Sequence, residues 1–130
     1  MSFETDVLNF AAKAQERVDV VVRKIVFDMT SDIVKMTPVD TGHARSNYFW
    51  GVFRVTDIDP AMDKRGGPSL SRAADFASNL RAGGVVYLTN NLPYIMRLEF
   101  GSSKQAPAGM ARITCARHQA RVNKIVAELR

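Results

Sequence analysis

One stretch reads Gly84-Val-Val-Tyr-Leu-Thr-Asn-Asn-Leu-Pro-Tyr-Ile-Met-Arg-Leu-Glu-Phe-Gly101, and its structural period changes partway along. The first half, 85–89, is a β-branched and aromatic run that is typical of a strand. In the second half, the apolar residues of 95–100 have the spacing of a helical turn, and a glycine ends that turn. We therefore predict a strand that passes into a short helix, and we place this joint at the centre of the fold.

The joint itself is specified by Asn90, Asn91 and Pro93. Asparagine tolerates left-handed backbone and can bond its own main chain, and proline presets the first turn of a helix. These three residues therefore predict a defined turn between the strand and the helix.

The composition favours one domain, 1–130. A chain of 130 residues with 46% apolar and 24% charged residues supports one ordinary globular core. Its single cysteine, Cys115, excludes an internal disulfide and a cysteine-based zinc cluster, and the two histidines stand far apart in the sequence. We therefore expect neither a metal nor a cofactor, and we expect Cys115 to pack as a small apolar residue.

The charge balance is mildly basic. A net charge of +5 and a pI near 9.7 indicate at most a weak preference for polyanions. The apolar runs are short, and the N-terminus carries Glu4 and Asp6 where a secretory signal would be positive and apolar. We expect a soluble protein of intracellular origin with no membrane partner.

The first 36 residues, 1–36, have the pattern of one long amphipathic helix. Their apolar residues recur at intervals of three and four: Phe3, Val7, Phe10, Ala14, Val18, Val21, Ile25, Met29 and Ile33. Such a helix would be roughly 45 to 50 Å long, more than a domain of this size needs to cover its core. Part of this apolar stripe would then face another subunit; the alternative is that the stripe packs wholly within the monomer.

The helix should end at Pro38, which is followed by the turn formers Asp40 and Gly42. The Asp-Thr-Gly triplet is also found in aspartic proteases. That interpretation is disfavoured, because such a site needs two carboxylates that share a proton, and this chain has one triplet and is too short for two lobes.

The middle of the chain predicts a strand, a loop and a helix. Residues 46–56 are strongly strand-forming and apolar on both faces, which favours a central or covered strand. Residues 57–68 form a charged, glycine-rich segment that we predict to be an exposed loop. Ser69 or Ser71 is expected to cap the helix that follows.

The last segment, 108–130, carries an apolar pattern of helical period with arginine and lysine on the other sides, and predicts a C-terminal helix. The fold class is therefore α+β, in which a long N-terminal helix, short helices and a C-terminal helix pack on a small, mostly antiparallel sheet.

Two parts of the sequence carry a resemblance when they are taken together. The first is Thr37-Pro-Val-Asp-Thr-Gly-His-Ala-Arg-Ser-Asn-Tyr48, and the second is 87–101 followed by Gln105-Ala-Pro-Ala-Gly-Met110. The chain thereby resembles the neck or tail-completion proteins of tailed bacteriophages, which join the portal-bearing head to the tail. The resemblance covers 36–120 and departs from the usual pattern at His43 and Ile95.

The resemblance implies a structural subunit of the virion that is assembled in the cytoplasm of a bacterial host. Such subunits form a ring, typically a hexamer, at the end of the tail tube or within the connector. Implied partners are further copies of the chain, the connector or neck proteins, the tail tube proteins, and DNA that passes through the ring. Whether the ring is a terminator, a stopper or a completion factor stays open.

The residues fall into two groups under this hypothesis. The basic candidates for contacts with a partner or with DNA in the channel are Lys64, Arg65, Arg72 and Arg81. The candidates for the fold or a subunit contact are Asp40, Thr41, Gly42, Asn90, Asn91, Pro93, Tyr94, Glu99 and Gly101. Glu99 is expected to pair with an arginine such as Arg45 or Arg97.

Two other classes of function stay open. A basic, non-specific nucleic-acid-binding module would bind DNA in a salt-sensitive way, but acids and bases are evenly mixed and there is no aromatic and basic binding motif. An enzyme would need a nucleophile with a base, or paired carboxylates with a histidine, and the sequence offers neither. We therefore expect a protein without catalytic activity.

Overall fold

The computed structural model describes residues 2–101 and 103–128 and has an α+β fold, as predicted. In chain order its elements are α1 (Phe3–Met36), α2 (His43–Ser46), β1 (Phe49–Gly51), α3 (Gly67–Ser78), β2 (Tyr87–Thr89), α4 (Ile95–Glu99), α5 (Ala111–Ala116) and α6 (His118–Glu128).

Helix α1 begins and ends at residues whose side chains satisfy its terminal backbone groups. The hydroxyl of Ser2 accepts from the N–H of Thr5 at 3.1 Å, and Glu4 and Asp6 place negative charge in the first turn. At the other end Thr37 has extended backbone before Pro38, and its hydroxyl donates to the carbonyl of Ile33 at 2.7 Å.

Strands β1 and β2 pair antiparallel, with Phe49 opposite Thr89 and Gly51 opposite Tyr87. The prediction of a long strand over 46–56 was wrong, and so was its central position. Asn47 is occupied in side-chain bonds to the backbone of Asp59, and the chain turns sharply after Gly51. High strand propensity alone cannot extend a strand without a partner to pair with.

The core lies where α1, α5 and the strand region meet. One cluster consists of Ile33, Val34, Tyr48, Ala106 and Met110. A second contact region joins α1, β1 and α3. There the ring of Trp50 stacks on Phe76 with the centroids 5.7 Å apart, and its indole N–H donates to the hydroxyl of Thr30 at 2.7 Å.

The predicted C-terminal helix is two helices that meet at Arg117. Arg121 of α6 forms ion pairs with Asp28, at 3.7 Å, and with Asp32, so α6 runs back along α1. The prediction that Cys115 is packed was wrong, because Thr114 is the residue of α5 that turns inward and the neighbouring thiol is exposed.

The first half of α1, residues 3–18, which we call the arm, projects from the body. None of its residues is buried, and Phe3 and Phe10 are 84% and 76% exposed. The buried residues Val26 and Thr30 of α1 lie about 130 to 170° around the helix from the stripe of the arm, and of the stripe itself only its last residue, Ile33, is buried. The alternative in which the stripe packs wholly within the monomer was therefore wrong.

Candidate functional site

The two segments that carry the resemblance are joined by direct hydrogen bonds. The backbone N–H of Val39 donates to the side chain of Gln105 at 2.9 Å, and the Gln105 amide donates back to the Val39 carbonyl at 3.3 Å. Asn90 donates to the carbonyl of Ala44 at 3.1 Å. Residues far apart in sequence thus build one continuous surface.

A groove of about 420 Å³ opens on this surface. Asp40, Thr41 and Gly42 form one part of its lining, and Tyr94 and Gln105 belong to another part. Asp40, Thr41 and Tyr94 are exposed, so side chains of three predicted contact residues are open to solvent here. The groove is large enough to take a side chain or a short turn of a partner.

Gly42 lies against the segment 62–66 in a conformation that favours glycine. Its φ is +87°, and a Cβ at this position would come within 2.4 Å of the carbonyl carbon of Asp63. The carbonyl of Gly42 accepts from the N–H of Asp63 at 3.0 Å. The predicted turn former is therefore a close backbone contact between two loops.

Asp63 connects that contact to the start of α3. Its carboxylate accepts from the N–H of Gly66 at 2.7 Å and from the N–H and hydroxyl of Ser69 at 2.9 and 2.7 Å. Burial raises the pKa of this carboxyl, but the hydrogen bonds from Ser69 and Gly66 outweigh it and hold the pKa below the ordinary value of 3.8. Asp63 caps the helix at its N-terminus.

The prediction of the cap was therefore wrong, whereas the exposed loop holds except at two residues. Neither Ser69 nor Ser71 is the cap, because the helix begins earlier, at Gly67, and Ser69 lies inside it. The segment 57–68 is mostly exposed, but Asp63 and Gly66 are buried. The sequence signal that could have found this cap is an aspartate three residues before a glycine and six before a serine, a spacing that loops often have without this structure.

The joint between β2 and α4 holds the irregular chain that follows β1. The side-chain amide of Asn91 donates to the carbonyl of Val55 at 2.7 Å, and the side-chain oxygen of Asn90 accepts from the N–H of Leu92 at 3.2 Å. Pro93 is exposed and precedes the helix. The predicted strand-to-helix joint is confirmed, and its asparagines also bind the neighbouring loop.

Glu99 binds the N-terminus of α5. Its carboxylate accepts from the backbone N–H groups of Met110, Ala111 and Arg112 at 3.0, 2.9 and 2.8 Å, and from the Arg112 side chain at 3.2 Å. Pairing with Arg45 or Arg97 was wrong, because the partner is an arginine beyond the next loop. Burial raises the pKa of Glu99, but these hydrogen bonds outweigh it and hold the pKa below 4.5.

The loop between Glu99 and α5 depends on a close approach at Gly101. Gly101 has a φ of +88°, and a Cβ there would lie 2.5 Å from the carbonyl oxygen of Pro107. Gly101 therefore ends α4 as predicted and also lets the loop pass close beside it.

We expect Glu99→Gln to destabilise the protein by about 2 kcal/mol at neutral pH, because the amide nitrogen cannot accept from the N–H groups at the start of α5. The pKa of Glu99 is lower in the folded than in the unfolded chain, so its contribution is complete above about 4.5 and is lost as the pH falls through the folded-state pKa. Urea unfolding at pH 7 and at about pH 3 measures both effects. The exposed Glu16→Gln is the control, and an equal loss in both variants would contradict the prediction.

The four basic candidates divide into two kinds. Lys64, Arg65 and Arg81 are exposed. Arg72 is occupied within the chain: one nitrogen donates to the carbonyls of Ser46 and Tyr48 at 2.7 and 2.9 Å, and its guanidinium lies 4.3 Å from the centre of the Phe49 ring. Three of the candidates therefore present their charge to solvent, and the fourth mainly holds β1 against α3.

The segment 52–62 exposes large apolar side chains that are not among the predicted contact residues. Val52, Phe53 and Met62 are among the exposed large apolar residues, and Phe53 is 80% exposed. The sequence predicted a strand for part of this segment, and strand residues are expected to bury at least one face. The apolar residues were therefore interpreted as core residues and not as an exposed contact surface.

The described parts of the chain contain no group of three or more metal-binding side chains and no helix long and apolar enough to cross a membrane. The described chain therefore presents three exposed features: the groove lined by 38–44, the apolar segment 52–62 and the helical arm. The loops around Gly42, Asp63 and Glu99 are joined by hydrogen bonds. Comparison with family models, with curated proteins and with solved structures found no match to this chain.

Proposed function

We propose that this chain is a structural virion protein of a tailed bacteriophage that forms a ring at the head-tail junction. The ring completes or terminates the tail and joins it to the connector, with DNA passing through its centre. The role is assembly and not catalysis. The residues that resemble neck and tail-completion proteins motivate the proposal.

The observation that carries the proposal is the amount of apolar surface that the monomer leaves uncovered. Outside the arm it lies on separate elements: Phe53 and Met62 on the segment 52–62, Met96 on α4, and Phe100 after α4. Soluble monomers rarely expose large apolar patches without a partner. A ring subunit needs two different adhesive faces, so apolar surface on several elements supports this type of assembly.

The hydrogen-bonded loops around Asp63 and Glu99 also support the proposal, because they order the surface on which a partner would bind. Asp63 and Glu99 each accept hydrogen bonds from the N-terminus of a helix, α3 and α5, and the backbone N–H of Asp63 also donates to Gly42 in the lining of the groove. Hydrogen bonds that order loops before a partner binds lower the entropic cost of association. We assign Asp40, Thr41 and Tyr94 to contacts with a neighbouring protein.

Lys64, Arg65 and Arg81 are the residues that we assign to the DNA path. Their charges are exposed, and DNA that moves through a ring must be met through its phosphates without regard to sequence. Arg72 contributes to the fold instead.

The test is the mass of the full-length protein in solution by light scattering, across concentration and at low and high salt, with negative-stain images of the same samples. We expect rings of about six copies, alone or after addition of tail tubes. A protein that stays monomeric with tail tubes and connectors, and binds DNA tightly at low salt, would instead support the nucleic-acid-binding module.

A charge-reversal variant tests the assignment to the DNA path. We expect Lys64→Glu/Arg65→Glu to leave the ring intact and to weaken its binding to duplex DNA by at least tenfold at low salt, because two phosphate contacts per subunit become repulsive. Fluorescence anisotropy with labelled DNA measures the affinity. Lys104→Glu, an exposed lysine on another loop, is the control, and an equal loss in the control would contradict the assignment.

A further inference from the structure

We propose that the arm pairs with the arm of a second copy as a two-fold antiparallel helical pair. The proposal does not rest on the proposed function. A two-fold contact joins two copies and is then complete, whereas a ring needs two different complementary faces.

The arm needs a partner because nothing in the described chain covers it. Residues 3–18 are all exposed, so this part of α1 gains no stability from packing within the described chain, which is the main source of helix stability in proteins. Asp28 and Asp32, which bind Arg121 of α6, lie on the same face of α1 as the apolar stripe of the arm. The arm thus continues a face that α6 covers further along the helix.

The apolar residues of the arm have the spacing of a coiled-coil seam. Phe3, Val7, Phe10 and Ala14 follow one another at intervals of four, three and four. In an antiparallel pair centred on 8–9, Phe3 lies opposite Ala14 of the second copy and Val7 lies opposite Phe10. Each large side chain then meets a smaller one, which allows close packing.

The charges beside the seam select the antiparallel arrangement. Asp6 and Lys13 lie on one flank of the seam and are two helical turns apart, about 10.5 Å, so they cannot pair within one arm. In the antiparallel arrangement each flank of the seam faces the same flank of the second copy. Asp6 then lies opposite Lys13 of the second copy, and the two-fold symmetry gives this contact twice. In a parallel pair the same flank would meet the side of Ala11 and Val18, where neither charge finds a partner.

The two charges are available for such a contact. Both side chains are exposed, and neither takes part in an ion pair among residues 2–101 and 103–128. Four seam residues from each copy, two of them phenylalanines, bury roughly 1,000 Å² in total, the low end for a specific interface. An interface of this size is typical of weak association, so the pair should dissociate on dilution.

The test uses charge reversals in the full-length protein. We expect Asp6→Lys and Lys13→Asp each to weaken pairing about tenfold, because two attractive contacts become repulsive, and the double variant Asp6→Lys/Lys13→Asp to restore it. Sedimentation velocity across concentration measures the association. Glu4→Lys is the matched control, since it makes the same change in the same first turn but faces Ala11 of the second copy.

The outcomes separate this inference from other forms of assembly. Restoration in the double variant with an unaffected Glu4→Lys supports the antiparallel pair. Two single variants that associate like the wild type, a double variant that stays weak, or a wild type without arm-dependent association at any concentration would overturn it. Rings that persist in Asp6→Lys would leave the proposed function standing. A wild type and a double variant that pair through the arm but form no rings would count against the proposed ring and not against the arm pair.

Discussion

Gly42→Ala is expected to destabilise the protein by about 4 kcal/mol, because the new methyl group combines a left-handed backbone with a clash against main chain. A non-glycine residue at a left-handed φ costs about 1 to 2 kcal/mol. The rest comes from the new Cβ, which would lie 2.4 Å from the carbonyl carbon and 2.6 Å from the nitrogen of Asp63. Because the obstacle is backbone, one of the two loops must move.

The control for this prediction is Gly83→Ala. Gly83 also has a positive φ, +100°, but its Cβ would meet nothing within 4 Å. Gly83→Ala should therefore show the conformational cost alone, about 1 to 2 kcal/mol. Urea unfolding followed by circular dichroism compares the two variants. Equal losses would mean that the contact between the loops does not hold Gly42 in place.

Asp63→Asn should cost about 3 kcal/mol, because an amide nitrogen would replace one of two oxygens that accept three hydrogen bonds. Asp63 is only 5% exposed, so water cannot replace the lost acceptor. The variant should also lose part of its acid sensitivity. The pKa of Asp63 is depressed in the folded state, so the stability it contributes is complete above about 3.8 and is lost as the pH falls below that value.

The comparison for Asp63→Asn is Asp57→Asn, which removes a charge from an exposed position in the same segment. Thermal unfolding at pH 7 and at about pH 3 measures both variants. We expect a larger difference between them at pH 7 than at low pH, because the advantage of the ionised Asp63 shrinks as the pH falls below 3.8 towards its depressed folded-state pKa. A constant difference at both values would contradict the role of its ionised form.

The elements that the sequence predicted well are those that local chemistry specifies. The long helix α1, the asparagine and proline joint and the turn at Gly101 each follow from residues next to one another. The partners of Asp63 and Glu99 could not be predicted in the same way. Glu99 binds N–H groups that lie 11 to 13 residues further along the chain, and no periodic pattern marks an acceptor for them.

The prediction of a long strand over 46–56 was wrong for a related reason. Its residues have strand propensity, but a strand forms only where another strand pairs with it, and β2 offers three residues. The exposed arm is a mixed result. The surplus length of α1 indicated uncovered apolar surface, whereas the position of the buried face became visible only from the packing of α3 and α6 on α1.

The stacked ring of Trp50 also determines how motions of this protein can be observed. It is the only tryptophan, and it reports on the region where α1, β1 and α3 meet. The arm, 3–18, contains no tryptophan or tyrosine. Melting of the arm would therefore lower the helical signal in circular dichroism while the fluorescence stays unchanged, and unfolding of the body would change both. A gap between the two curves would measure how independently the arm behaves.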